Sequence, residues 1–350
     1  MNLFWKILGC LISIPLLYVV GCILYAKLTY LDPIQLIVLE ENTQVTPIPK
    51  REMSALIWNI GYGGLGANSD FFKDGGKMVR PEKDDFDLYF NGILKTLDGD
   101  SSDFQLLQEV DTHSKRSYFH DEISFIRAQA HESHPFSYFA ENYKVNFVPV
   151  PFLNPMGKVH SGLLSLSKFK PYRIERHQLP GAFGFPDQLF FLRRCLLVQY
   201  FKVDNANDLV VINVHNSAYD DSGKLKKEEM AYLKQVLTDL NTKGMYIICG
   251  GDWNQCPPDF DYRTLAKGRE GDYFQTNVDS SFVGFGKWRY DPKVGTNRKN
   301  DKAYKEGKSF ITIIDFFWHS DNIEVSTIEG ISNNFQYSDH QPVKIKFQLK

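Results

Sequence analysis

Short runs of β-forming residues recur from Ala55 to the C-terminus, and they constrain this chain more than any other feature. They are Ala55–Trp58, Phe104–Leu107, Gly162–Leu166, Leu196–Phe201, Leu209–Val214, Met245–Cys249, Phe310–Phe317 and Val343–Phe347. Runs this short, rich in Val, Ile, Leu and aromatics, read as buried strands rather than helices. Two segments follow helical spacing instead. Phe86–Leu97 sets Phe86, Tyr89, Phe90, Ile93, Leu94 and Leu97 on one stripe behind Asp84 and Asp85, and Lys226–Leu240 does the same with Met230, Leu233, Val236, Leu237 and Leu240. Many strands with interspersed helices predict a layered, mixed α/β domain. With 43% hydrophobic residues the chain can bury a large core, and no repeat or low-complexity break divides it, so one domain is expected over 52–350. The polar, basic stretch Lys287–Lys308 has little periodicity and reads as a long surface loop.

The N-terminal segment is of a different kind. Ile7 to Ala26 carries no charge, with Lys6 and Lys27 at its ends. As a helix it would be about 30 Å long, the thickness of a bilayer core. A transmembrane anchor over 1–31 is the favoured reading, followed by a tether over 32–51 that contains Pro33, Pro47 and Pro49. Two other readings compete. A cleaved signal lacks a small-x-small site after a shorter apolar core, and lipidation at Cys22 in Val19-Val20-Gly21-Cys22 meets the apolar Ile23-Leu24-Tyr25 behind it. With the leader left in the cytoplasm, the anchored catalytic domain would lie outside it.

Charge and cysteine content exclude some classes. The net charge of -2 gives no global attraction to nucleic acid. Cys10, Cys22, Cys195, Cys249 and Cys256 are odd in number and lack paired metal-ligand spacing, which argues against a disulfide scaffold or a zinc site.

The informative polar residues sit where apolar runs end, the place where open sheets present their sites. Ala55–Trp58 ends in Asn59, and Phe104–Leu107 ends in Gln108-Glu109. Leu209–Val214 ends in His215, and Met245–Cys249 empties into Gly250-Gly251-Asp252-Trp253-Asn254. Ile311–Ile314 leads into Asp315, while Ser338-Asp339-His340 stands before the last strand. Each is weak evidence by itself. In this order, with Ser161-Gly162-Leu163 added, they resemble the endonuclease/exonuclease/phosphatase superfamily, which is DNase I-like, from about Ala55 to the C-terminus. The likeness is greatest to its membrane-anchored bacterial members of unassigned substrate.

The resemblance implies a four-layered α/β sandwich, two mixed sheets face to face with helices outside. It also implies a divalent-metal phosphodiesterase or phosphatase using Mg²⁺ or Mn²⁺. Glu109 would offer a hard oxygen ligand, with Asn59 and Asp339 completing or orienting the shell. Asp252 resembles the residue that aligns or deprotonates the attacking water. Asn254 would donate to the transition state, a role worth about 3–4 kcal/mol if lost. His340 would contact the phosphate or take a proton, with Asp315 fixing its tautomer. His215 matches a histidine that some branches place on the phosphate and others replace by an amide.

Other motifs carry less. Gly61-Tyr62-Gly63-Gly64-Leu65-Gly66 contains G-x-G-x-x-G, but no apolar helix opens behind it, so it reads as flexible backbone beside Asn59 rather than a dinucleotide site. Asp98–Asp103 lacks the glycine and glutamate of a calcium loop. His160 and the Arg193-Arg194 pair, with Arg193 put forward, are candidates for substrate contact. Phe147–Phe152 is packing, a loop edge or a lipid contact.

The expected activity is therefore metal-dependent hydrolysis of a phosphoester by a monomeric enzyme at a membrane. A nuclease must neutralise many phosphates, and 42 acidic against 40 basic residues favour a phospholipid or small phosphoester, with DNA or RNA as the alternative. A catalytically silent binding module on the same fold is the reading from another class, and nicotinamide-dependent redox chemistry is a third.

Overall fold

The structure, a computed structural model, describes residues 3–218, 220, 223–266 and 275–350. In chain order the strands are β1 Leu36–Glu41, β2 Met53–Asn59, β3 Phe104–Asp111, β4 Phe136–Val148, β5 Gly157–Ser167, β6 Arg173–Gln178, β7 Cys195–Phe201, β8 Leu209–His215, β9 Tyr246–Asp252, β10 Lys287–Arg289, β11 Asn297–Arg298, β12 Ile311–Thr312, β13 Asp315–His319, β14 Ile323–Gly330 and β15 Val343–Leu349. The helices are α1 Leu3–Thr29, α2 Lys83–Asp98, α3 Glu122–Ala130, α4 Lys224–Thr242 and the short α5 Arg263–Ala266.

Two mixed sheets form the centre. One has the order β14-β15-β2-β3-β5-β4 and the other β1-β6-β7-β8-β9-β13-β10. Each holds one parallel pair, β2 with β3 and β8 with β9. Successive side chains of a strand point to opposite faces, and both faces of these central strands are covered. Ala55 and Ile57 of β2 face inward to a core shared with Val211, Ile248 and Phe317 of the other sheet. Leu56 and Trp58 face outward onto Phe86, Phe90 and Ile93 of α2 and Ile123 and Ile126 of α3. Val210, Ile212 and Val214 of β8 face outward onto Leu233, Leu237 and Leu240 of α4. The layers thus run helices, sheet, sheet, helix: the four-layered α/β sandwich.

The N-terminal helix forms over Leu3–Thr29, but the expectation that it spans a membrane is not met. Among the described residues no helix is long and apolar enough to cross one. Its C-terminal part is committed to the domain instead: Ala26 is buried, and the Tyr18 ring meets Phe152 edge-on at 5.1 Å. The stretch after it carries β1, which pairs antiparallel with β6 as an edge strand. Lys287–Lys308 is also not a surface loop throughout. It contributes β10 and β11, and Thr296, Arg298 and Asn300 are buried.

Candidate active site

β2, β3, β8 and β9 all end at one edge of the sandwich, which gathers Asn59, Glu109, His215 and Asp252. Antiparallel pairing of β13 with β9 sets Asp315 directly opposite Asp252, and β8–β9 pairing sets His215 on its other side. His340 arrives from the loop before β15, held by Trp58 Nε1 donating to its carbonyl at 3.0 Å. Two of these positions depend on left-handed backbone. Glu109 has φ 55° within an irregular stretch of the β3–β5 ladder, and Asn254 has φ 50°. Such conformations cost energy and persist where the surroundings over-determine them. Gly251 explains the double glycine: a Cβ there would lie 2.0 Å from the Val214 carbonyl oxygen.

Asp252 is the hub. Its Oδ2 accepts from Asn59 Nδ2 at 3.0 Å and lies 3.2 Å from His215 Nε2 and 3.7 Å from His340 Nε2. Its Oδ1 accepts from the Asn254 backbone N–H at 2.9 Å. Burial would raise its carboxyl, but His340, His215 and Arg194 together hold it well below the usual carboxylate range. Behind His340, Asp315 Oδ2 accepts a hydrogen bond from Nδ1 at 2.8 Å. Burial raises Asp315 and, acting alone, would lower His340; the carboxylates of Asp315, Asp252 and Asp339 outweigh it and lift His340 well above the ordinary imidazole range. Asn297 Nδ2 lies 3.0 Å from His340 Nε2.

His215 is held in one tautomer. Arg194 Nη1, which can only donate, lies 2.7 Å from His215 Nδ1, so that nitrogen accepts and the ring proton sits on Nε2, facing Asp252. Burial lowers the His215 pKa, and Arg194 adds to the effect. Asn254 Nδ2 donates to the Asn216 carbonyl at 2.8 Å, which engages one of its two amide hydrogens.

Glu109 and Asp339 supply the remaining carboxylates. Asn59 Nδ2 reaches Glu109 Oε1 at 3.4 Å, while Asn59 Oδ1 accepts from the Gly61 N–H at 3.0 Å. Burial raises Asp339, with Glu109 adding to the effect, whereas His215 and Arg116 outweigh burial to lower Glu109. Two carboxylates beside an amide make an all-oxygen donor set, the kind that Mg²⁺ or Mn²⁺ prefers. Asn59, with its oxygen already engaged, is better placed to orient this shell than to ligate. Separately, ligand atoms of Asp252, Asp315 and His340 lie within 4.8 Å of one another and could hold an ion. That trio is already tied together by the His340–Asp315 hydrogen bond.

Glu109, His215, Asp252, Asn254, Asp339 and His340 line a cavity of about 120 Å³ with Tyr62, Asn142, Arg194 and Asn300, while Asn59 and Asp315 stand behind its wall. Two sequence candidates do not reach it. His160 turns to Glu141 and Arg193 to the Tyr30 hydroxyl, and both line a separate cavity of about 700 Å³ beneath the end of α1. Within β5 strand alternation is the reason, since Ser161 next to His160 faces the site, and just before β7 Arg194 rather than Arg193 lines it. Asn297 and Asn300 were hidden by the polar loop that carries them. Asn300 Nδ2 donates to Asp339 Oδ2 at 2.5 Å. The glycine loop Gly61–Gly64 is buried beside the site.

The chain belongs to the Endonuclease/Exonuclease/phosphatase family, which matches residues 56–340. Among solved structures it is similar to an endonuclease/exonuclease/phosphatase from Beutenbergia cavernae DSM 12333, with 17% identity and a TM-score of 0.57 over 86% of this chain and 72% of that one. It is similar to the human Nocturnin catalytic domain with bound sulfate, with 16% identity and a TM-score of 0.53 over 88% and 97%. ANGEL2, a 2',3'-cyclic phosphatase solved with adenosine-2',3'-vanadate, shares 15% identity and a TM-score of 0.56 over 87% and 98%. At these identities the likeness is one of fold. No curated protein matches the chain in sequence.

Proposed function

We propose that this protein is a divalent-metal-dependent phosphoester hydrolase whose attacking water is oriented by Asp252. The observation that carries this reading is the placement of Asp252 Oδ2 between His215, Asn59 and His340, in a cavity that also presents Glu109 and Asp339. A carboxylate held well below its usual range remains ionised at neutral pH. It accepts a hydrogen bond from water more readily than it keeps a proton, so orientation is its main task. His340, with its pKa raised by the surrounding carboxylates and its ring backed by Asp315, is suited to face the phosphoryl oxygens. Asn254 brings its second amide hydrogen and His215 its Nε2–H to the developing charge. Glu109 and Asp339 would hold the metal, with Asn59 orienting the shell. When bound, it would polarise the phosphoryl oxygen and neutralise charge.

Purified full-length protein should hydrolyse bis-p-nitrophenyl phosphate with added Mg²⁺ or Mn²⁺ and lose that activity in EDTA. Turnover unaffected by EDTA would sink the metal mechanism, and no turnover on any phosphoester would favour a silent binding module. The near balance of acidic and basic residues supports a phospholipid or small phosphoester over nucleic acid. Nicking of supercoiled DNA without activity on either of the others would reverse that preference.

A further inference from the structure

Among the buried polar atoms of the catalytic cavity that have no hydrogen-bond partner are two that no part of the metal mechanism uses. Tyr62 is 1% exposed and its hydroxyl is unpaired; Asn142 is 6% exposed and its Nδ2 is unpaired. Both side chains line the same cavity as Glu109, Asp252 and His340. Buried polar groups are almost always paired, so an orphaned one needs a reason.

Irregular backbone delivers both residues. Tyr62 has φ 44° and ψ 34°, a left-handed conformation that tyrosine rarely adopts. Its ring lies beneath the Arg116 guanidinium, 3.7 Å from centroid to carbon, and a Cβ on Gly64 would come within 2.4 Å of it. Asn142 is the extra residue where the β4–β5 register slips between Glu141 and Tyr143. Bulges of this kind re-aim a side chain beside a site.

The cavity wall holds both signs of charge, with Asp74, Glu109, Asp252 and Asp339 as its acids. Lys73, Arg116 and Arg194 line it. Arg116 is matched by Asp111 in a two-pronged pair at 2.9 Å, Asp252 faces His215 and His340, and on the hydrolase reading Glu109 and Asp339 would be matched by the metal. An amide nitrogen can only donate and a hydroxyl can donate, so the missing partner is an acceptor, and the cations favour an anionic one.

We propose that Tyr62 and Asn142, flanked by Lys73 and Arg194, form a second anion subsite for a phosphate carried next to the phosphoester being cut. The assignment rests on the hydrolase reading for the identity of the neighbouring group. A polyphosphorylated small molecule, a phosphorylated lipid headgroup and the flanking phosphate of a polynucleotide all present this chemistry.

The test is a ratio of affinities in the full chain at fixed Mg²⁺. Calorimetry would compare methylenediphosphonate, which carries two phosphoryl groups and is not hydrolysed, with inorganic phosphate. Charge-assisted hydrogen bonds to the second group should make the diphosphonate bind about tenfold tighter or better. Tyr62→Phe and Asn142→Leu should each collapse that advantage several-fold. Equal affinities in the wild type, or a ratio unmoved by both variants, would overturn the subsite. Because this readout needs no turnover, a protein that cleaves nothing yet keeps the ratio would defeat the hydrolase reading alone. Comparing kcat/KM of both variants with wild type on a small bisphosphate, a phosphoinositide and an oligonucleotide identifies the source by which substrate loses most.

Discussion

At the scale of single residues, the site is a set of neighbours that hold one another in fixed protonation states. Asp315 keeps the His340 proton on Nδ1, and Arg194 keeps the His215 proton on Nε2. Asp315→Asn should therefore lower kcat by about 10²–10⁴, the range of a misdirected acid–base partner, while circular dichroism stays unchanged. An Asp315→Asn enzyme with full activity would show that the pair has no part in turnover. Outside the cluster, Glu229 is pushed up to about 7 by burial and accepts from the Ser217 N–H and hydroxyl. A carboxyl raised on folding binds its proton more tightly in the native state, so its contribution falls as pH climbs from about 4.5 to about 7 and is flat above. Glu229→Gln should match wild type in Tm near pH 4 and exceed it at pH 8. A Tm difference that does not change with pH would refute the shift.

At the scale of elements, strands were legible where both faces are buried and obscure where charge is satisfied by tertiary partners. β8 and β9 stand out in the sequence because almost every side chain in them is apolar. β6 does not, since Arg173, Glu175, Arg176 and His177 hide it; the structure pairs Glu175 with Arg173, His177 and Tyr200. The run Phe310–Phe317 is broken because Thr296 Oγ1 accepts from the N–H groups of Ile314 and Asp315 in place of a strand partner. Helix α4 was readable from its stripe, and Leu237→Ala, which empties its docking point on β8, should cost about 2–5 kcal/mol by chemical denaturation. Gly251→Ala must push β9 away from the Val214 carbonyl. It should reduce both stability and turnover, because Asp252 is the next residue; a stable, fully active variant would contradict the tight approach of these strands.

At the scale of the whole molecule, an apolar surface remains beside the sandwich. Leu11, Ile14, Leu17, Leu24 and Leu28 of α1 are exposed, as are Phe152 and Leu153 across from it. We propose that these side chains attach the protein to a lipid surface. Full-length protein should float with phospholipid vesicles in a density gradient, and its sedimentation free of them would end that idea. The sequence by itself determined which doubly buried runs become the central strands and which polar side chains stand at their ends, because burial on two faces and abrupt polarity at a run's end are local properties of the chain. It therefore carried Asn59, Glu109, His215, Asp252, Asp315, Asp339 and His340 in order. Only the tertiary structure decided that Arg194 and not Arg193 faces the cavity, that Asn297 and Asn300 leave a polar loop to join it, and that Tyr62 and Asn142 lie there unpaired. Those outcomes follow from strand phase, bulges and left-handed turns, each set by contacts between segments far apart in the chain.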